Sequence, residues 1–160
     1  MMYDDGSELS TDMLYTGGEN RVWSKESANA PAVADAQPAY ARFLGLRVTS
    51  WSKDHVDAEL TVRPELANRN GVLHGGAIMG FCDNLGGTAA SLNLPRGART
   101  TTVESKTNFF RPLPVGTTAT ARCVPLHRGR RTSVWQTTVT GEDGRVAAIV
   151  TPTQLVLTGD

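Results

Sequence analysis

The chain has 160 residues, of which 16 are basic, 16 are acidic, 39% are apolar and 6% are aromatic, a composition typical of one globular domain. The longest stretch without a charged residue, 146–159, is shorter than a membrane-spanning helix and contains a proline, which excludes a transmembrane helix. The two cysteines do not form a CxxC pair, so the sequence predicts no disulfide framework and no structural zinc cluster.

The zero net charge conceals two unlike segments. Residues 1–41 hold seven acidic and two basic residues, whereas residues 42–160 hold nine acidic and fourteen basic residues. A surplus of five positive charges is small and dispersed for a duplex-binding surface, but it suits a small polyanion such as a phosphorylated cofactor. The charge balance therefore disfavours nucleic acid as a partner.

Residues 1–38 mix glycine, serine, asparagine, alanine and proline with little apolar periodicity. This pattern is typical of a disordered tail, because it offers too little burial to offset the entropy of ordering. The alternative is that Trp23 and the cluster 13–15 dock on the body as a short strap. The acidic start of the chain does not resemble a secretory signal. We therefore expect a cytoplasmic protein with one folded domain at 39–160.

From about Tyr40 onward, the sequence predicts mainly β-strands. Alternating apolar and polar residues over 56–62 predict a half-buried strand, which pairs with 46–51 through a polar turn. Runs rich in β-branched residues predict four further strands, at 100–110, 117–126, 132–140 and 145–157. The short connections predict that these four strands are antiparallel neighbours.

One helix is predicted between the two groups of strands, from Gly75 to Leu92, with Pro95 beyond its end. Apart from Asp83, its side chains are apolar, small or neutral. This composition predicts a helix that is buried on nearly all sides, and not one with a solvent-exposed face. A helix wrapped by an antiparallel sheet satisfies the pattern.

Asp83 is the unusual residue of this helix. An ionised carboxylate is costly to bury without a partner, and no basic residue lies within one turn of Asp83 on the helix. Buried acids of this kind are enriched in active sites, so Asp83 is a candidate catalytic residue, with a structural role as the alternative.

Gly75 and Gly76 stand at the start of the predicted helix. Unpaired backbone N–H groups and the positive end of the helix dipole can face an incoming carbonyl oxygen at this position. The arrangement is that of an oxyanion site. Close packing of the loop against the helix is the alternative reading of the two glycines.

The run 71–77, Gly-Val-Leu-His-Gly-Gly-Ala, followed by Asp83, resembles the HGG signature of hotdog-fold acyl-CoA thioesterases. Residues 108–112 look like the usual end of the third strand in that family. Residues 125–136 look like the branch that includes the phenylacetate-pathway and menaquinone-pathway thioesterases. The resemblance covers about residues 40–158. It implies an α+β hotdog fold, in which a long central helix is wrapped by a curled antiparallel sheet and two subunits share each site.

The resemblance also implies roles for five residues. Asp83 matches the catalytic carboxylate, which acts as a nucleophile or as a general base for water. Gly75 matches the residue whose backbone N–H polarises the thioester carbonyl, and Asn68 matches the amide that orients water or substrate. His74 flanks the thioester, and Thr102 aligns with a hydroxyl that assists in some members.

Gly86 and Gly87 depart from the family pattern, because several relatives carry a serine or threonine there that helps to hold water. Either another residue replaces the lost hydroxyl, or turnover is slower.

A basic cluster near a predicted hairpin turn is suited to the phosphates of coenzyme A, since guanidinium groups match phosphate geometry. The residues assigned to this role are Arg111, His127, Arg128, Gly129, Arg130, Arg131 and Thr132. A solvated turn is the alternative.

We expect no metal site and no separate cofactor, because coenzyme A is part of the substrate. His74 has no second histidine at ligand spacing. Cys82 adjoins Asp83, but no histidine is placed to activate it, so a buried structural thiol is the better interpretation.

These observations predict hydrolysis of an acyl-CoA thioester to the free acid and coenzyme A. The alternatives are a non-catalytic acyl-CoA sensor or scaffold with the same fold, and a hotdog hydratase. We also expect a homodimer or a tetramer, because a single curled sheet leaves exposed edges that need covering.

Overall fold

The computed structural model describes residues 36–95 and 97–158. The proposed strap at 13–15 and Trp23, like most of the segment assigned to a tail, lies outside these residues. The elements in chain order are helix α1 Ala39–Leu44, strands β1 Arg47–Trp51 and β2 Val56–Thr61, a short 3-10 helix Pro64–Leu66, helix α2 Gly75–Ser91, and strands β3 Arg99–Phe109, β4 Thr118–Arg128, β5 Thr132–Thr140 and β6 Val146–Leu157.

The six strands form one antiparallel sheet in the order β1-β2-β4-β5-β6-β3. Strand β3 lies at an edge beside β6, so the expectation that β3 and β4 are neighbours is wrong. The reason is that β2 occupies that side of β4, where Leu60 of β2 lies opposite Ala119. The loop after β3, which contains Pro112 and Pro114, carries the chain from the edge strand to β4.

Helix α2 packs on one face of this sheet and supplies much of the core. Phe81 and Leu85 of α2 are fully buried, and so is Trp135 of β5. Burying a side chain of this size contributes about 1.5–3 kcal/mol. The result is the α+β architecture implied by the resemblance, with a long helix wrapped by an antiparallel sheet. No helix in the part of the chain described here is long and apolar enough to cross a membrane.

One face of α2 remains open, so the expectation of burial nearly all round is wrong for the single chain. Met79 is 40% exposed, and Asp83, Asn84, Gly87 and Thr88 are half-buried. The physical reason is that one sheet covers one side of a helix. The small and polar residues occupy the side that the sheet leaves open.

The residues before α1 pack against this open face. Gln37 is buried, and its Oε1 accepts a hydrogen bond from Nδ2 of Asn84 at 2.6 Å. Helix α1 follows Pro38 and ends at Gly45, which adopts a left-handed conformation with φ 77°. The segment 36–38, which was assigned to the tail, therefore contacts α2.

Gly86 allows α2 to approach β6 closely. A Cβ atom at Gly86 would lie 2.6 Å from Cγ of Pro152 and 3.8 Å from Nε2 of Gln154. A Cβ atom at Gly87 would meet nothing within 4 Å. Packing therefore accounts for the glycine at 86, where a hydroxyl-bearing side chain has no room.

Gly86→Ala should destabilise the protein by roughly 1–2 kcal/mol, the cost of overpacking less the gain in helix propensity. The matched control is Gly87→Ala, which should raise stability by up to about 1 kcal/mol, because its site has room for the methyl group. Thermal unfolding of the two variants measures the difference. Equal melting temperatures would contradict the close contact of α2 with β6.

Candidate active site

A cavity of about 160 Å³ lies between the open face of α2 and strands β3 and β6. Most of its side chains carry a hydroxyl, amide or carboxyl group, and the lining comprises Pro38, Asp83, Asn84, Gly87, Thr88, Ser91, Thr100, Thr101, Thr102 and Gln154. The five positions from α2 follow helical spacing and share one face. The cavity therefore combines a helix face with the inward-facing residues of two strands.

Asp83 is the carboxylate of this cavity, and a hydrogen bond connects it to β3. Its Oδ1 accepts a hydrogen bond from the Thr102 hydroxyl at 2.8 Å. Among the residues that the structure describes, no cation forms an ion pair with Asp83. The carboxylate is thus held in place without being neutralised, which leaves it available to a ligand.

Gln154 forms a second layer behind Thr102. Its Nε2 donates to Oγ1 of Thr102 at 2.7 Å, and its Oε1 accepts from the Thr100 hydroxyl at 3.1 Å. Gln154 is completely buried. It is absent from the predicted site residues, although it is the one polar side chain among the buried positions of β6, which was a usable signal.

His74 caps the N-terminus of α2. Its Nδ1 accepts a hydrogen bond from the Gly76 N–H at 2.9 Å, so the neutral imidazole carries its proton on Nε2. The neighbouring Gly75 N–H has no acceptor within 36–95 and 97–158. Because the first N–H groups of a helix point out from its end, the Gly75 N–H is free to bind a ligand oxygen.

Asn68 lies in the turn before α2. Its Oδ1 accepts a hydrogen bond from the Asn70 N–H at 2.9 Å, and its backbone N–H donates to the Val72 carbonyl at 2.8 Å. Oδ1 of Asn68 thus stabilises its own loop. The Nδ2 group forms no hydrogen bond with the residues that the structure describes, so it can donate to a ligand. The loop that holds Asn68 is tied to the start of α2, because the His74 N–H donates to the Leu66 carbonyl at 2.8 Å and Ala67 pairs with Leu73.

The predicted catalytic residues form two groups within one chain. Gly75 and Asp83 are two turns apart on α2, which separates their backbones by about 12 Å along the helix. The Gly75 N–H also points away from the body of the helix, and hence from Asp83. A carbonyl bound to Gly75 cannot also lie about 3 Å from Asp83 of the same chain. The structure brings Thr102 to Asp83, and places Asn68 and His74 with Gly75.

The basic cluster is only partly in a turn. Strand β4 extends through Arg128, so His127 and Arg128 lie on the strand. Arg128 donates to Oδ1 of Asp54 at 2.6 Å, and its guanidinium lies 5.5 Å from the centre of the Trp135 ring. Arg128 is therefore occupied by contacts within its own chain.

The turn itself is formed by the remaining residues. The Gly129 N–H donates to the Thr132 carbonyl at 2.8 Å and closes the hairpin. Arg130 and Arg131 lie between them and are exposed. Neither side chain forms an ion pair or a hydrogen bond with residues 36–95 or 97–158, so both can contact an anionic ligand.

Arg111 lies far from this turn. Its Nη1 donates to the Val146 carbonyl at 3.0 Å, whereas the Arg131 carbonyl accepts from the Val156 N–H at 2.8 Å. Val146 and Val156 are ten residues apart on β6, or about 30 Å in an extended strand. Arg111 and Arg131 of one chain therefore cannot bind the same phosphate group.

The thiols of Cys82 and Cys123 are buried and are not reactive groups of the candidate site. Burial raises the pKa of the Cys123 thiol to about 11, and burial also raises the pKa of Cys82, with a further contribution from Cys123. Both thiols stay protonated at neutral pH, so neither is an activated nucleophile. Within the described part of the chain, no group of three or more His, Cys, Asp or Glu side chains is placed to hold a metal ion.

Comparisons with known proteins agree on one family. A model of the thioesterase superfamily matches residues 70–148. The chain is 34% identical over 126 residues to a Mycobacterium tuberculosis protein whose name designates an esterase, covering 76% of this chain and 89% of that protein.

Solved structures extend the likeness to the fold. A thioesterase of Haemophilus influenzae superposes with a TM-score of 0.77 at 25% identity, covering 86% of this chain and 95% of that one. A Streptococcus mutans protein solved with bound acetyl-CoA superposes with a TM-score of 0.65 at 29% identity, covering 71% and 89%. The expected hotdog fold is confirmed.

Proposed function

Because this chain belongs to the thioesterase superfamily, we propose that it hydrolyses an acyl-CoA thioester to the free carboxylic acid and coenzyme A, with Asp83 as the catalytic carboxylate. The observation that carries the proposal is the position of Asp83. It is the one carboxylate among the residues described around the cavity, and Thr102 holds one of its oxygens.

Two observations support coenzyme A as the leaving group. The Streptococcus mutans relative was solved with acetyl-CoA. In this chain, the exposed Arg130 and Arg131 lie beside the end of β6 that also supplies Gln154 to the cavity, because Arg131 is bonded to Val156. Exposed guanidinium groups beside this end of β6 suit the phosphates of the coenzyme A portion of the substrate.

Hydrolysis needs a group that delivers oxygen and a group that stabilises the oxyanion. Asp83 either attacks the carbonyl carbon, giving an anhydride that water then opens, or takes a proton from water as the water attacks. In both routes the C–S bond breaks, one water is consumed, and coenzyme A leaves as a thiolate that is then protonated. The Gly75 N–H, at the positive end of α2, stabilises the oxyanion.

Asp83 and Gly75 of the same site come from different chains in this proposal. The two residues are too far apart within one chain, and the Gly75 N–H points away from Asp83. The edge strand β3 exposes Val103 and Phe109, which are 56% and 52% accessible. An edge strand has unpaired backbone N–H and C=O groups along one side, and together with these two exposed apolar side chains they favour pairing with a second copy. The active form is therefore a homodimer or a dimer of dimers.

The test is release of coenzyme A from a panel of acyl-CoA thioesters, followed with a thiol reagent. Wild-type protein should release coenzyme A from at least one thioester, and Asp83→Asn should not. Oxygen esters of the same acids provide the comparison that separates a thioesterase from a general esterase. Tight acyl-CoA binding with no release from any thioester would instead identify a non-catalytic acyl-CoA-binding protein.

A further inference from the structure

Gln154 is a completely buried polar side chain for which the hydrolysis described above has no role. We propose that Gln154 is a positioning residue that sets the direction of the Thr102 hydroxyl, so that its hydrogen is donated to Oδ1 of Asp83 and Oδ2 is left to react. The inference rests on the proposed role of Asp83 and names a further residue of the same site.

The direction of the hydrogen bonds follows from counting hydrogens. A threonine hydroxyl has one hydrogen to donate, and an ionised carboxylate only accepts. The 2.8 Å contact between Thr102 and Oδ1 of Asp83 therefore uses the Thr102 hydrogen. The 2.7 Å contact between Thr102 and Gln154 must then use a hydrogen of the Gln154 Nε2. This leaves Oε1 of Gln154 facing the Thr100 hydroxyl at 3.1 Å.

Thr100 completes this chain of hydrogen bonds. Its hydroxyl lies 3.1 Å from Oε1 of Gln154 and 3.1 Å from the Leu155 carbonyl oxygen, and both of these atoms only accept. Because Oε1 is the amide atom that faces this hydroxyl, the amide is held with Nε2 directed at Thr102.

Burial is what makes this arrangement effective. Because Gln154 is inaccessible to solvent, water cannot replace a lost partner of Thr102, and an unsatisfied group in such a network is costly. The network also selects one oxygen of Asp83. Oδ1 is engaged by Thr102, while Oδ2 accepts no hydrogen bond from the residues that the structure describes, so Oδ2 is the oxygen presented to water or substrate.

Two variants separate orientation from packing. Gln154→Met keeps the approximate volume and removes the hydrogen bonds, so Thr102 loses the donor that fixes its hydroxyl from the side away from Asp83. Gln154→Glu keeps the shape, and because an ionised carboxylate is costly to bury, its carboxyl stays protonated and donates to Thr102 in place of Nε2. Thr153→Val is the matched control, because Thr153 is the next residue on β6 and alternation turns its side chain to the opposite face.

On the best thioester substrate, Gln154→Met should lower kcat about tenfold with little change in KM, the effect of losing one oriented hydrogen bond. Gln154→Glu should keep kcat within about threefold of wild type, because its protonated carboxyl still donates to Thr102. Thr153→Val should match wild type. Equal kcat in the two Gln154 variants, or a larger loss in Gln154→Glu than in Gln154→Met, would overturn the proposal.

A second measurement needs no substrate. In full-length protein labelled with nitrogen-15, the side-chain amide signals of Gln154 are assigned by their loss in Gln154→Met. They should shift in Thr102→Val, which removes the oxygen that accepts from Nε2, and stay in place in Thr153→Val. Gln154 signals that are unchanged in Thr102→Val, or that shift equally in Thr153→Val, would overturn the proposal even if the protein hydrolyses thioesters. A wild type without activity but with the expected signals would contradict only the proposed function.

Discussion

Replacing Asp83 by asparagine should lower kcat by about 10²–10⁴-fold, the usual contribution of a general acid–base group, or by more if Asp83 is the nucleophile. The asparagine amide keeps the shape of the side chain, and its oxygen can still accept the hydrogen bond from Thr102. It can neither attack a carbonyl carbon nor take a proton. The loss should therefore appear in kcat, while the melting temperature stays near that of wild type.

The measurement is the initial rate of coenzyme A release at saturating substrate, together with thermal unfolding. Glu59→Gln is the matched control, because Glu59 is a carboxylate on β2 that pairs with Arg47 and does not line the cavity. It should keep wild-type turnover. If Asp83→Asn retained more than about a tenth of wild-type kcat, the assignment of Asp83 would be wrong.

Replacing Gly75 by proline should lower kcat by about 10²–10³-fold, the usual cost of removing one oxyanion donor. Proline lacks the backbone N–H, and the first position of a helix tolerates it well. His74, the residue before it, already has the extended conformation that a following proline requires, with φ −64° and ψ 138°. The substitution therefore removes the proposed donor while helix α2 stays intact.

Gly75→Ala separates the loss of the donor from steric effects. Alanine and proline both introduce a Cβ atom, which at this position would lie 3.1 Å from Cζ of Phe109. Phe109 is half-exposed and can move aside. Alanine keeps the N–H, so Gly75→Ala should lose far less activity than Gly75→Pro. Equal losses in the two variants would show that crowding against Phe109, and not the missing N–H, is responsible.

The sheet shows where local patterns predict structure and where they do not. The alternation at 56–62 and the polar turn after 46–51 identified the β1–β2 pair correctly, because both signals are local. The position of β3 was missed, since strand order depends on contacts between distant segments, here β2 with β4 and β3 with β6. Helix α1 was missed as well, because six residues form a stable helix only when packed against a neighbour.

In the candidate site, too, local patterns identified some residues, and contacts between distant segments determine the others. Asp83 was recognisable as an acid in an otherwise uncharged helix, and Thr102 followed from the family resemblance; the structure places their side chains 2.8 Å apart. Gln154 was missed because it is far from both in sequence and reaches them only when β6 pairs with β3. The placement of His127 and Arg128 beyond the predicted strand 117–126 was also a matter of its boundary, since β4 continues after a register shift at 125–127 and ends at Arg128.

The shared site is the central claim, and mixed oligomers test it most directly. Asp83→Asn and Gly75→Pro chains are expressed together with different affinity tags, and oligomers that contain both are purified through the two tags in turn. If each site combines Asp83 of one chain with Gly75 of the other, a mixed dimer has one site with both defects and one intact site. It should recover about half of the wild-type activity per dimer, although both parents are inactive. Mixed oligomers as inactive as the parents would contradict a site shared between chains.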